Sequence, residues 1–181
     1  MIQGLHELQE RGLVELRRDY VPYLAQDYVA DWPEDDHERK LTPRGMREAL
    51  LIGTYLFKEK ITIDVIISST AERAKATAGL LVDGLKWDTK RITFSDELYE
   101  ASSRTFFHFL GTLDDSHKHV MCISHNPVIT YVAEYLTKAE IGDMAPGSFV
   151  AIKFNIDSWK EVGEGNGELE NYIYPEMLTT N

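Results

Sequence analysis

The sequence predicts a three-layer α/β/α domain in which a largely parallel central sheet carries helices on both faces. Three observations carry that reading. Short β-branched runs alternate along the chain with segments of helical period, the pattern of successive βα units. Two of these runs, "IDVIISS" (Ile63 to Ser69) and "HVMCIS" (His119 to Ser124), are apolar with little alternation, as strands covered on both faces are. A length of 181 residues also suits one domain, residues 1–181, with a continuous core.

The elements follow in chain order. Ile2 to Arg18 carries Leu5, Leu8, Leu13 and Leu16 and is expected to be helical, which makes residues 1–19 an added N-terminal helical segment. Tyr20 to Ala25 is expected to be a weak strand, because Pro22 lacks the ladder donor that a central strand needs. "DWPEDDHERK", Asp31 to Lys40, is a charged loop whose acidic run Glu34 to Glu38 is expected to be solvated. Thr42 then reads as an N-cap and Pro43 as the first residue of a helix ending near Lys60, with Met46, Ala49, Leu50, Gly53, Leu56 and Phe57 as its apolar face. "AERAKATAGLLVDGL" is the helix after the strand at Ile63 to Ser69. "RITFSDEL" reads as a short strand and "SRTFFHFLGTL" as a helix. "HVMCIS" and the helix after His125 form a further βα unit, and "GSFVAIKFNID" and "GELENYIYP" close the chain as strands at a sheet edge.

Composition narrows the function. Thirty acidic residues against 19 basic ones give a formal charge of -11, which argues against nucleic acid and anionic membrane as partners. Any anion site must therefore be locally basic. The single cysteine, Cys122, lies in an apolar run, so no disulfide framework or cysteine zinc site forms within one chain. The polar, amphipathic start lacks the features of a signal peptide, and no apolar run approaches membrane-spanning length. A soluble cytoplasmic protein is expected, with no cofactor.

In open α/β sheets, ligands gather beyond the carboxyl ends of strands. Three turns qualify: the one after Tyr20 to Ala25, Ser68 to Arg73, and Ser124 to Pro127. In "MCISHNPVIT", His125 sits on a strand-to-helix turn, and Pro127 fits the first turn of a helix whose free amides favour an anion. An imidazole there points to phosphate chemistry, against the plainer reading of a histidine that packs the turn.

With these segments in view, the sequence resembles the histidine phosphatase superfamily, of phosphoglycerate mutase-like fold, and within it the SixA-like phosphohistidine phosphatases. "LTPRGMREA" looks like the family's helix start after its first catalytic loop. "DVIISSTAERAKATAGLL" looks like the segment supplying a phosphate-binding arginine, here Arg73, and "DELYEAS" like the loop carrying an acidic residue, here Glu100. "CISHNP" matches the second catalytic histidine, here His125, and the tail from "GSFVAIKFNIDSW" to "YIYPEML" follows the same pattern. The resemblance implies that a histidine in an Arg-His motif, at the end of the first strand, attacks phosphorus. Arginines and the second histidine then stabilise the transferring group.

That first motif is missing. Holding the charged loop in register with the family puts Gln26 and Asp27 at the Arg-His pair, while a second register, with "LVELRRDY" as the strand, puts Arg17 and Arg18 there. Neither supplies a histidine, and His6, His37, His108, His117 and His119 fall elsewhere. In the first register the pocket loses about two positive charges, each worth on the order of 4 kcal/mol at about 4 Å and an effective dielectric of about 20. The expectation is a pseudophosphatase, or a module that binds or senses a phosphorylated protein or small phosphorylated ligand. The alternative is a phosphatase that uses unusual groups such as Asp27 as nucleophile. A minor third reading gathers Asp27, Glu100 and His125 around a divalent cation; no dedicated metal site is otherwise expected.

Overall fold

A computed structural model describes residues 36–99 and 101–179 in full and the backbone of residues 12–17. Its centre is a six-stranded sheet in the order β3-β2-β4-β1-β5-β6. The strands are β1 (Gly12–Arg17), β2 (Val65–Ser69), β3 (Ile92–Ser95), β4 (His119–Ser124), β5 (Phe149–Phe154) and β6 (Gly167–Ile173). β1 to β4 run parallel to one another, and β5 and β6 are antiparallel additions beside β1. The two C-terminal strands lie at one side of the sheet as expected, with β6 alone at the edge.

Successive side chains of a strand point to opposite faces, and that alternation sorts the core in two. Ile66 of β2, Met121 and Ile123 of β4, and Phe149 and Ala151 of β5 face one layer, which holds α1 (Pro43–Lys58) and α2 (Glu72–Leu85). Ile67, Val120, Cys122, Val150, Ile152 and Phe154 face the other, where α3 (Ser103–Gly111) and α4 (Val128–Thr137) pack. A short α5 (Pro175–Thr179) follows β6. Every residue of β4 is buried, so the strand that delivers His125 is held on both faces and both edges.

Local sequence explains the helix starts. Thr42 caps α1 by accepting a hydrogen bond from the Gly45 amide at 3.1 Å, and Pro43 spends no needed donor in the first turn. Ser102 caps α3 by accepting from Thr105 N at 3.1 Å. α4 starts one residue later than Pro127 itself, which takes the N-cap position.

Two expectations are corrected. Gly12–Arg17 is a strand and not part of a helix, because it pairs along its length with β4 on one side and β5 on the other. Local leucine spacing fits either element, and the sheet partners decide. The rest of Ile2 to Arg18, and the strand expected at Tyr20 to Ala25, lie outside the described residues. The apolar face of α1 is also narrower than its periodicity indicates. Ala49, Ile52, Gly53 and Leu56 are buried against α2, whereas Met46, Leu50 and Phe57 are 44%, 43% and 43% exposed.

The seam between α1 and α2 is set by glycine. A Cβ on Gly53 would stand 2.5 Å from the Leu81 carbonyl oxygen, and one on Gly84 would stand 2.7 Å from the backbone of Gly53 and Thr54. Backbone meets backbone there, leaving no flexible side chain to yield. Alanine gains about 1 kcal/mol over glycine in a helix interior, yet overpacking of this kind costs about 1–3 kcal/mol or more. Gly84→Ala is therefore expected to lower the urea unfolding midpoint despite its helix propensity; an unchanged or raised midpoint would show that the helices separate freely.

Candidate active site

The parallel strands end together, and their carboxyl ends carry the polar residues. β2 finishes in Ser68 and Ser69, and β4 in Ser124 followed by His125. Arg73 comes from the first turn of α2, four residues beyond the end of β2, and its side chain returns toward the strand ends. Arg73 and His125 are each 8% exposed. A guanidinium nitrogen of Arg73 lies 3.4 Å from His125 Nδ1, and His125 Nε2 lies 2.7 Å from Ser69 Oγ.

These contacts assign the imidazole's tautomer. Arginine only donates, so Nδ1 carries the lone pair and Nε2–H donates to Ser69 Oγ. Ser69 Oγ also accepts from the Ala71 amide at 3.3 Å, which ties the ring's partner to the entrance of α2. Ser124 Oγ donates to the Leu98 carbonyl at 2.8 Å, joining β4 to the segment that presents Tyr99. The Tyr99 ring meets His125 edge-on with centroids 5.8 Å apart.

The counter-charge of Arg73 is Asp36, from a 3-10 turn at Asp36–Glu38. Arg73 donates to the Asp36 carboxylate at 2.9 Å and to the Asp36 carbonyl at 2.6 Å. Arg39 donates to the other carboxylate oxygen at 2.7 Å, and the Tyr99 hydroxyl stands 3.5 Å from the first. Burial pushes the Asp36 carboxyl up, but the hydrogen bonds and charges of Arg39 and Arg73 outweigh it and hold the group below its usual range. In the same turn, His37 Nε2 lies 3.1 Å from Thr70 Oγ1, which donates to Asp96 at 2.6 Å. His37 also meets the Tyr99 ring edge-on at 4.6 Å.

Of the residues singled out by sequence, Arg73 and His125 meet. Glu100, Gln26 and Asp27 lie outside the described residues. β1 ends at Arg17, paired with Ser124 of β4, and Gln26 and Asp27 come further along the chain. Four contributors went unremarked: Asp36, Arg39, Ser69 and Tyr99. Ser69 could have been found as a polar residue closing a buried strand. Asp36 contradicts the expectation of a wholly solvated acidic run, because one of its carboxylates neutralises a buried guanidinium. Among the described residues no group of three or more His, Cys, Asp or Glu side chains is arranged to hold a metal ion. None of the described helices is long and apolar enough to cross a membrane.

A buried arginine and a buried histidine thus meet at the strand ends of an α/β/α sheet. The family model of the histidine phosphatase superfamily (branch 1) matches residues 31–106, and over that stretch the chain is similar to that superfamily. An uncharacterized protein of Mycobacterium leprae is 29% identical over 163 residues, spanning 84% of this chain and 98% of its own. Another from Mycobacterium tuberculosis is 28% identical over 149 residues, spanning 77% and 91%. Among solved structures, the protein histidine phosphatase SixA complexed with tungstate superposes with a TM-score of 0.73 at 21% identity, covering 92% of this chain and 99% of that one. The alpha-ribazole phosphatase of Shigella flexneri superposes with a TM-score of 0.61 at 16% identity, covering 87% and 94%.

The Asp36 pairing sets a pH dependence. Its carboxyl is lowered in the folded protein, so the pairing stabilises the fold above the unfolded-state value and loses that effect as pH falls through the folded-state value. The gap in unfolding midpoint between the native protein and Asp36→Asn is thus expected near pH 7 and should close in strong acid. An equal gap at both pH values would mean that charge is not what Asp36 contributes.

Proposed function

We propose that this chain is a SixA-like member of the superfamily that binds a phosphoryl oxyanion at Arg73, Arg39 and His125 but lacks the ordinary phosphohistidine route, so that it works as a phospho-ligand binding or regulatory module. The observation that carries the reading is the Arg73 guanidinium, 3.4 Å from His125 Nδ1, which together with Arg39 already holds the Asp36 carboxylate. Those donors suit any oxyanion with two or three accepting oxygens, and charge-assisted contacts of this kind are the strong ones.

Loss of turnover is argued from the first strand. β1 ends at Arg17, and the chain continues with Arg18, Asp19 and Tyr20; the next histidine in sequence is His37. The pairing of Arg17 with Ser124 supports giving the motif's two positions to Arg17 and Arg18. A guanidinium remains protonated and has no lone pair with which to attack phosphorus. It still attracts the anion. On this register the first motif keeps its cationic character while losing its nucleophile, the reverse of what Gln26 and Asp27 would have done there. The ligand proposed is a phosphoryl group borne by a protein side chain or by a small molecule. A cytoplasmic setting belongs to the same proposal and is supported by the chain's only cysteine, Cys122, being a buried free thiol.

Calorimetric titration with tungstate and phosphate, beside turnover of phosphohistidine and an aryl phosphate, tests this. Expected are oxyanion binding by the native protein, a loss of about tenfold or more in Arg73→Gln and His125→Ala, and no native turnover. Arg18→His is expected to introduce turnover. Native turnover that disappears in His125→Ala or Asp27→Ala would overturn the non-catalytic reading, and absence of oxyanion binding would overturn the site.

A further inference from the structure

The Asp36–Glu38 turn occupies an unusual place for an acidic segment. Both oxygens of the Asp36 carboxylate are spent on cations of the proposed anion site, one on Arg39 and one on Arg73, with the Tyr99 hydroxyl at 3.5 Å from the latter. The Asp36 carbonyl takes the second terminal nitrogen of Arg73 at 2.6 Å. One residue therefore engages both ends of the buried guanidinium. Exposure is asymmetric: the Asp36 side chain is 51% exposed and that of Arg73 10%. The carboxylate is seated from the solvent side, over the group that an incoming oxyanion would need.

We propose that Asp36 is an internal stand-in for the ligand, and that the Asp36–Glu38 turn must leave the Arg73 guanidinium before a phosphoryl oxyanion can bind. This rests on the assignment of Arg73 and His125 as the anion site. Two anions within hydrogen-bond reach of one guanidinium repel each other, so carboxylate and ligand exclude one another there. The turn is built to be displaced. It buries no residue of its own, and its contacts with the described residues include the two arginines, the His37–Thr70 contact and the edge of the Tyr99 ring. Releasing it breaks polar contacts without opening the apolar core, which is the character of a low-cost local opening. Thr70 is the second catch: it lies between the Ser69 that holds His125 and the Ala71 at the helix entrance, and it couples the turn to Asp96. The device sets a threshold, because the ligand's apparent affinity falls by the fraction of molecules in which the turn is open.

The test is calorimetric titration of tungstate into the native protein, Asp36→Asn, Thr70→Val, and the double variant Asp36→Asn with Arg73→Gln. Asp36→Asn is expected to tighten tungstate binding by about tenfold, Thr70→Val to tighten it by less, and the double variant to lose the gain. Amide hydrogen exchange on the native protein supplies a readout that needs no variant: saturation with tungstate should speed exchange at residues 36–39. If the native protein binds tungstate while Asp36→Asn binds equally or more weakly, or if exchange in the turn is unchanged or slowed, Asp36 is a fixed counter-ion and the proposal fails. If no protein in the series binds tungstate, the assignment of the anion site fails instead.

Discussion

An arginine that is 8% exposed at the end of a sheet needs a counter-charge and directed acceptors, and this end of the molecule is arranged around that need. Arg73 is buried because α2 starts directly beyond β2 and lies flat on the sheet, so its first turn points back across the strand ends. The orientation of the His125 ring, the position of Ser69 and the inward seating of Asp36 all answer the same charge. Each makes sense as a response to Arg73, and none of them requires a ligand to be present. The cluster is thus held together by the protein's own charges and hydrogen bonds.

The fold was legible in the sequence wherever an element is decided locally. β2, β4 and the helices that follow them come directly from uninterrupted β-branched runs next to segments of helical period. The α1 start could be read to the residue because Thr42 and Pro43 perform a local capping function. β1 was not legible, since "GLVELR" satisfies a helical and an extended pattern equally and becomes a strand through partners more than a hundred residues away, such as Gly12 with His119 and Lys153. The face of α1 failed for a related reason. Periodicity says which residues are apolar, but the depth to which α2 approaches is set by Gly53 and Gly84, and that approach covers only a narrow stripe.

For the site, Arg73 and His125 were recoverable because each stands at a strand end in a recognisable local setting. Asp36 was not, because nothing distinguishes it in sequence from the acidic residues around it. Its role is conferred by the direction in which a short turn presents it. A charge run is a poor guide at single-residue resolution, since solvation and ion pairing draw on the same side chains. On the proposed register, an arginine pair at the end of the first strand would keep the pocket attractive to anions where Gln26 and Asp27 would have made it repellent.

The central position of β1 has a consequence for assembly. It is the first described strand in the chain, yet it lies between β4 and β5, which come late. The β3-β2-β4 ladder can form early from neighbouring βα units, but it then ends in β4, whose unpaired backbone edge is made of "HVMCIS". Such an apolar edge invites pairing with foreign strands until it is covered. Because β1 must bridge β4 and β5, closing the sheet requires long loops to be ordered together, the kind of contact that slows folding. The N-terminal strand therefore serves as a keystone, and the interval before it is seated is when this chain is most exposed to aggregation.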